Sequence, residues 1–279
     1  MTHIKTKAFT LIELLVVIAM IGLLSSVVLV STRGSREKAK IAKNLETSQT
    51  IYTSLGSEAI GLWNFDNCTA QDASGYGNNS TITGATCSSE TPYSVLSQGN
   101  GKNSLIFDGV NDYVSVPDST SLRISHYTVE LWIKPNGAPD EVWKGIIGKP
   151  GRNFNIWLNS VGYIHHRFHN SVNTNSGTPD TPAGSISWNA WNHIAITNDG
   201  ITAKTYINGV EKARGDAGGD QIIDNTMLYI GRNLDGSVGN YFNGLIDDIR
   251  IYSESLSQSQ IQQYYAEGLE IHNNLALQQ

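Results

Sequence analysis

Residues 127–135 read Tyr-Thr-Val-Glu-Leu-Trp-Ile-Lys-Pro, with Val129, Leu131 and Ile133 at every second position. A period of two puts alternate side chains on one face of an extended strand. The signature returns along the chain. In Trp191–Thr197, His193 and Ala195 alternate with Ile194 and Ile196, and Lys204–Asn208, Met227–Gly231 and Leu245–Tyr252 read as further strands. Asn208-Gly209 between two such runs is a two-residue hairpin signal. The chain has 27 glycines in 279 residues, which punctuate many short runs. The prediction for residues 60–268 is a mainly β fold, an antiparallel two-sheet β-sandwich. Ser257 is the predicted N-cap of a short closing helix whose Ile261, Tyr264 and Tyr265 dock on the sandwich. Residues 269–279 remain as a C-terminal tail.

The N-terminal end follows a different rule. Residues 9–32 read FTLIELLVVIAMIGLLSSVVLVST, and Glu13 is their single charge. A helix of that length covers about 36 Å, enough to cross the hydrocarbon core of a bilayer. The preceding residues 1–8 carry Lys5 and Lys7, and basic residues ahead of a first span hold that end in the cytoplasm. The rest of the chain then lies outside. A secretory signal peptide is the alternative, but an acid sits inside the apolar run and no small-residue cleavage site closes it. Beyond the span, Ile41, Leu45, Ser48, Tyr52, Leu55 and Ala59 recur three or four residues apart. That spacing continues an amphipathic helix to residue 59. Glu13 is costly in lipid and is a candidate functional residue for that reason.

The formal charge of −6 conceals an asymmetry. Residues 1–59 hold seven Lys or Arg against four acids, while residues 60–279 hold twelve against twenty-one. An acidic body repels phosphate backbones, which argues against general nucleic-acid binding by it. The two cysteines, Cys68 and Cys87, fall in the exported part, where oxidising conditions favour a disulfide over two thiols.

Lys7-Ala8-Phe9-Thr10-Leu11-Ile12-Glu13, followed by LLVVIAMIG, resembles the prepilin cleavage and methylation motif of type IV pilins and pseudopilins. The resemblance covers about the first 35 residues. It implies cleavage after Ala8 by prepilin peptidase, N-methylation of Phe9, and residence in a bacterial inner membrane. Assembly with other pilin subunits through the N-terminal helix follows, into a filament at the cell surface. The family usually has Gly where Ala8 stands. In such a fibre Glu13 pairs with the amino group of a neighbouring Phe9, so that two buried charges neutralise each other.

Nearly all of residues 60–266 resembles the laminin G-like, concanavalin A-type family. The matching stretches are Trp63-Asn64-Phe65-Asp66, Asp72-Ala73-Ser74-Gly75, Leu105–Gly109 with VNDYVSVP, VELWIKP, WNHIAIT, YING, YIGR, FNGLIDDIRIY and the ending LSQSQIQQYY. Within these segments Asp72, Asn78, Asp108 and either Asp247 or Asp248 are the candidate calcium ligands, since calcium takes six to eight oxygens. Strand alternation puts Asp247 and Asp248 on opposite faces, so one of them coordinates. Trp132, Trp191 and Tyr252 read as core, and His193 as a structural histidine. His165, Arg167 and His169 share a strand face from which His166 points away. Zinc lacks a fourth ligand there. The preferred reading is an exposed polar strand with loop 170–184, forming part of a surface for a glycan or surface-protein ligand.

Retaining glycosidases need two carboxylates about 5 Å apart, and no Glu-x-Asp-x-x-Glu string occurs in the chain. A Gly-x-Ser-x-Gly elbow is also missing. The expectation is therefore a non-enzymatic, adhesive or structural filament subunit with a lectin-like head. The alternative is a pseudopilin of a type II secretion or DNA-uptake machine whose head makes only subunit contacts. A tethered glycan hydrolase ranks third.

Overall fold

The computed structural model describes residues 59–92, 103–139, 143–170, 172, 175–232 and 240–266, with residues 11, 14–16, 18 and 20. The chain divides into two compact units, Met1–Tyr52 and Thr53–Gln279. In the first, Leu11, Leu14, Leu15, Val16, Ile18 and Met20 are helical, and their apolar side chains are exposed. Among the described residues no helix is long and apolar enough to cross a membrane. Of the expected span over 9–32 only residues 11, 14–16, 18 and 20 are described. Ala8, Phe9, Glu13, the continuation over 33–58 and the tail 269–279 lie outside the described residues. Ala59, expected to end that helix, instead opens the first strand of the sandwich, where it pairs with Tyr252.

The second unit is an antiparallel sandwich of two sheets. In one, β13 (Val210–Asp216), β12 (Thr202–Ile207), β11 (Asn192–Asn198), β6 (Tyr127–Pro135), β15 (Asn243–Tyr252), β4 (Ser104–Asp108) and β3 (Thr86–Ser88) lie side by side in that order. β1 (Ala59–Trp63) is the eighth strand and shares one side of β15 with β4. The other sheet runs β10 (Asn175–Gly177), β9 (Ile164–His169), β8 (Asn153–Asn159), β7 (Trp143–Lys149), β14 (Leu228–Ile230), β5 (Tyr113–Val116), β2 (Thr81–Thr83).

The period of two places the core where it was expected. Val129, Leu131 and Ile133 of β6 and Ile194 and Ile196 of β11 meet Phe154, Ile156 and Leu158 of β8 between the sheets. The opposite face of β6 is buried as well, which simple alternation does not foretell. Residues 258–266 form a helix, and Ile261 and Tyr264 pack with Ala195, Tyr206, Tyr252 and Leu256 in a second cluster. Full burial of side chains this size stabilises by roughly 1.5–3 kcal/mol each. The Ser257 hydroxyl accepts the Gln260 N–H (3.4 Å), while the Gln260 amide oxygen accepts the Ser257 N–H (2.9 Å), a reciprocal capping box. Under this helix Trp132 stacks on Tyr265 at 5.8 Å, and Glu130 takes Arg250 Nη1 at 3.1 Å. Trp132 thus belongs to the outer layer and not the central core, and Trp191 is half-buried.

Asn208 and Gly209 have φ of 51° and 72°, the left-handed pair that lets two twisted strands reverse in two residues. Cys68 and Cys87 are disulfide-bonded, with Cα atoms 5.5 Å apart, and tie the segment after β1 to β3.

Candidate functional site

The acids proposed for calcium are not gathered into one site. Among the described residues no group of three or more His, Cys, Asp or Glu side chains is placed to hold a metal ion. Asp72 and Asn78 do meet, but for a different purpose. Asp72 Oδ1 accepts the N–H groups of Leu62 (3.0 Å) and Ser74 (2.9 Å), and Oδ2 accepts the Ser74 hydroxyl (2.8 Å) and the Asn78 N–H (2.8 Å). Four donors fill the sites that an ionised carboxylate offers. The Asn78 amide in turn donates to Ile60 O (2.6 Å) and Ser121 Oγ (3.0 Å). Asp108 closes its own turn by accepting Val110 N–H at 2.8 Å and Asn111 N–H at 3.2 Å, and the Val110 bond leads in holding its carboxyl below the usual range.

Asp247 and Asp248 do not alternate. Asp248 takes φ 47°, the β15–β6 register slips between Asp247 and Arg250, and both acids are buried between core-facing Ile246 and Ile249. The Asp248 N–H donates to Asp247 Oδ1 at 2.8 Å. This β-bulge adds one residue and returns Ile249 and Ile251 to the core. The four-residue calcium set therefore does not fit as one donor shell.

The residues expected to take part in ligand binding, His165, Arg167 and His169, lie on the outer face of the seven-stranded sheet. In β8, core-facing Phe154, Ile156 and Leu158 leave Asn153, Asn155, Trp157 and Asn159 outward. In β9, Ile164 and Phe168 face the core, leaving His165, Arg167 and His169 on the outside. His166 points inward as expected, fully buried, with Nε2 2.8 Å from the Tyr127 hydroxyl.

Pairing then assembles the site. Trp157 is directly opposite His165 on one side and Gly145 on the other, and Trp143 is opposite Asn159. Trp143 stands at the centre of a ring cluster, with centroids 4.7 Å from His165, 5.6 Å from Tyr163 and 6.5 Å from Trp157. Trp157 is 6% exposed and forms a floor, while Trp143, Tyr163, His165 and Arg167 are half-buried. The strand is therefore a packed platform, not the fully exposed polar strand expected.

Asp180 completes it. Its Oδ1 takes His165 Nδ1 at 2.5 Å, and the Arg167 guanidinium lies 3.9 Å away. Arg167 is held in place by donating to the carbonyls of His166 and Thr178. Burial lowers the His165 pKa against the opposing pull of Asp180, so the ring is neutral at pH 7. Donation from Nδ1 to the carboxylate fixes the tautomer and leaves Nε2 as an acceptor. Burial, then the Asp180 charge, raises the Tyr163 phenol, which keeps it an O–H donor. His169 shares the strand face but makes no ring contact with this cluster.

Sequence reading found His165 and Arg167 but missed Trp143, Trp157, Tyr163 and Asp180. The usable signal was Asn-x-Asn-x-Trp-x-Asn in β8, polar and aromatic positions interleaved with Phe154, Ile156 and Leu158. Such a platform offers ring faces to apolar surfaces and convergent donors and acceptors to polar ones.

Comparison with known proteins agrees with this architecture. A model of the concanavalin A-like lectin/glucanases superfamily matches residues 108–262. A model of the prokaryotic N-terminal methylation motif, the type IV pilin-like signature, matches residues 4–29. The zebrafish (Danio rerio) adhesion G-protein coupled receptor V1 is 25% identical over 183 residues, 59% of this chain but 3% of that receptor. Domain 4 of an extracellular GH43 arabinanase from Geobacillus stearothermophilus, solved in complex with arabinotriose, superposes with a TM-score of 0.56 at 24% identity. It covers 74% of this chain and 97% of that one. The ligand binding domain of botulinum neurotoxin serotype D, solved in complex with N-acetylneuraminic acid, gives 0.61 at 18% identity, over 77% of this chain and 52% of that one. The binding domain of Paraclostridial Mosquitocidal Protein 1 gives 0.59 at 17%, over 76% and 52%. At these identities the likeness concerns the fold. With its matched domain spanning more than half its length, the chain belongs to the concanavalin A-like lectin/glucanases superfamily.

Proposed function

We propose that this chain is a subunit of a type IV pilus or related surface filament, and that its head binds glycans without turning them over. The platform of Trp143, Trp157, Tyr163, His165, Arg167 and Asp180 carries the reading. Ring faces cover the C–H faces of a sugar, while Arg167, His165 Nε2 and the Asp180 carboxylate take its hydroxyls. The arabinanase domain solved with arabinotriose, matched over 97% of its length, lends support, as does the neurotoxin ligand binding domain solved with N-acetylneuraminic acid, of which 52% is matched.

The methylation motif supports the filament part. In this reading prepilin peptidase cuts after Ala8, Phe9 is methylated, and the helix leaves the inner membrane to pack among other pilin subunits with Glu13 neutralised by a neighbouring amine. Within the head, the chain enters on the eight-stranded sheet through β1, and the aromatic platform occupies the outer face of the other sheet.

A glycan array probed with the full-length chain in detergent tests this. Saccharide binding that Trp143→Ala weakens by about tenfold or more is the expected result. Filaments that contain the chain but bind no saccharide would select instead a pseudopilin whose head makes only subunit contacts. Release of reducing ends from a bound polysaccharide would overturn the non-enzymatic part.

A further inference from the structure

The platform is not the last feature of its face. Two strands farther along the same sheet, Tyr229 of β14 and Tyr113 of β5 face outward, since Leu228, Ile230, Val114 and Val116 are in the core. Their rings lie 5.9 Å apart. The Arg232 guanidinium sits over both, 4.7 Å from the Tyr113 ring and 5.2 Å from that of Tyr229, and over Tyr241 at 5.3 Å. All four side chains are half-buried.

The backbone aims this arginine. Gly231 has φ 79°, and a Cβ there would come within 2.5 Å of the Phe107 ring. The turn it makes is pinned by Gly231 N–H to Ile146 O (2.8 Å) and Phe242 N–H to Gly231 O (2.8 Å). Three rings then hold the guanidinium by cation–π attraction. The other arginines in ion pairs on this head have their acids: Arg123 has Asp118, Arg214 has Glu211, Arg250 has Glu130 and Arg167 has Asp180. Arg232 has no carboxylate and no hydrogen-bond acceptor among the described residues. Among the described residues its planar fork of donors is preorganised and open, and that fork matches a carboxylate with two parallel bonds.

The two stations are continuous. Gly145, opposite Trp157, donates its N–H to Asn240 O at 3.0 Å, and the next residue is Tyr241 of the cage. From β9 to β5 there are four strand steps, about 19 Å at the usual spacing. That width takes more than one sugar ring.

We infer that the outer face of the seven-stranded sheet is one oligosaccharide track, in which Arg232 and its tyrosine cage bind the carboxylate of an acidic sugar while Trp143 and its neighbours hold the rest of the chain. This rests on the glycan reading above and narrows it to carboxylated glycans.

The test is calorimetric titration of the full-length chain in detergent with two acidic probes, an oligogalacturonate and sialyllactose. Each is run beside its neutral methyl ester. At least one acid is expected to bind about tenfold tighter than its ester, and to weaken as salt is raised. Arg232→Gln should bring the acid down to the affinity of the ester. Arg232→Lys, which keeps the charge without the fork, should fall between. If esters and acids bind equally and Trp143→Ala weakens both, the carboxylate subsite is overturned and the glycan reading stands. If neither acid nor ester binds, both are overturned. An acid preference that survives in Arg232→Gln places the anion elsewhere and overturns the assignment.

Discussion

His166 makes the head sensitive to mild acid. Its ring is fully buried between the sheets, with Nε2 on the Tyr127 hydroxyl at 2.8 Å and the Phe168 ring 5.6 Å away. Burial, helped by the positive charge of Arg167, pushes its pKa down to about 3. An unfolded histidine titrates near 6.5. The folded value lies below the unfolded one, so the unfolded chain takes the proton first. Stability is full above about pH 6.5 and is lost as pH falls toward 3. At 1.36 kcal/mol per unit, the loss by pH 5 is about 2 kcal/mol from this one ring. The depressed carboxylates, Asp108, Asp118, Asp199, Glu130 and Glu211, act in a lower window. The lowered pKa of His165 acts in the same direction as His166, so a variant is needed to separate the two. Gln at 166 can still bond Tyr127 but does not titrate. Urea unfolding of the head, Thr53–Gln279, is measured for native and His166→Gln protein at about pH 8 and about pH 5. The stability advantage of native over variant should shrink by about 2 kcal/mol on acidification. An advantage constant to within about 0.5 kcal/mol would refute the claim that His166 is held neutral by burial.

Replacing Cys68 and Cys87 together by Ser should cost about 3 kcal/mol, visible as a lower urea midpoint with little change in slope; no shift would mean the loop is already held by its other contacts. Asp72→Ala strands the N–H groups of Leu62, Ser74 and Asn78 and should cost roughly 2–4 kcal/mol. That loss should be equal in calcium and in chelator, and a loss seen only with calcium would put an ion at Asp72. Glu13→Ala should strongly reduce incorporation into filaments while leaving the unassembled chain in the membrane, scored by immunogold labelling and by fractionation. Normal incorporation would remove Glu13 from assembly.

Much of the fold is written in local pattern. Val129, Leu131 and Ile133 announce β6, Asn208-Gly209 announces a hairpin, and Ser257 with Gln260 announces a helix start. Each depends on neighbours within a few residues, which a linear reading sees. The candidate site depends on cross-strand neighbours instead. Trp143 meets His165, and Tyr113 meets Arg232, only because the sheet orders β9, β8, β7, β14 and β5 side by side. Half of that order comes from strands distant in the chain, so His165 and Arg167 were found but not the rings that complete them. The acids show the same limit of a linear reading. Asp72, Asp108 and Asp247 each close a local turn or bulge, and an aspartate that caps a turn looks in sequence like one that binds calcium.

The bridge between Cys68 and Cys87 has a mechanical meaning. A tug on the chain ahead of Ala59 loads β1, whose ladder with β15 is the first thing able to peel. Ten residues run from Ala59 to Cys68, and straightening them pays out at most about 35 Å. There the slack ends. The covalent link hands the force to β3 and its partner β4, and the strands that carry the aromatic face stay folded behind that stop.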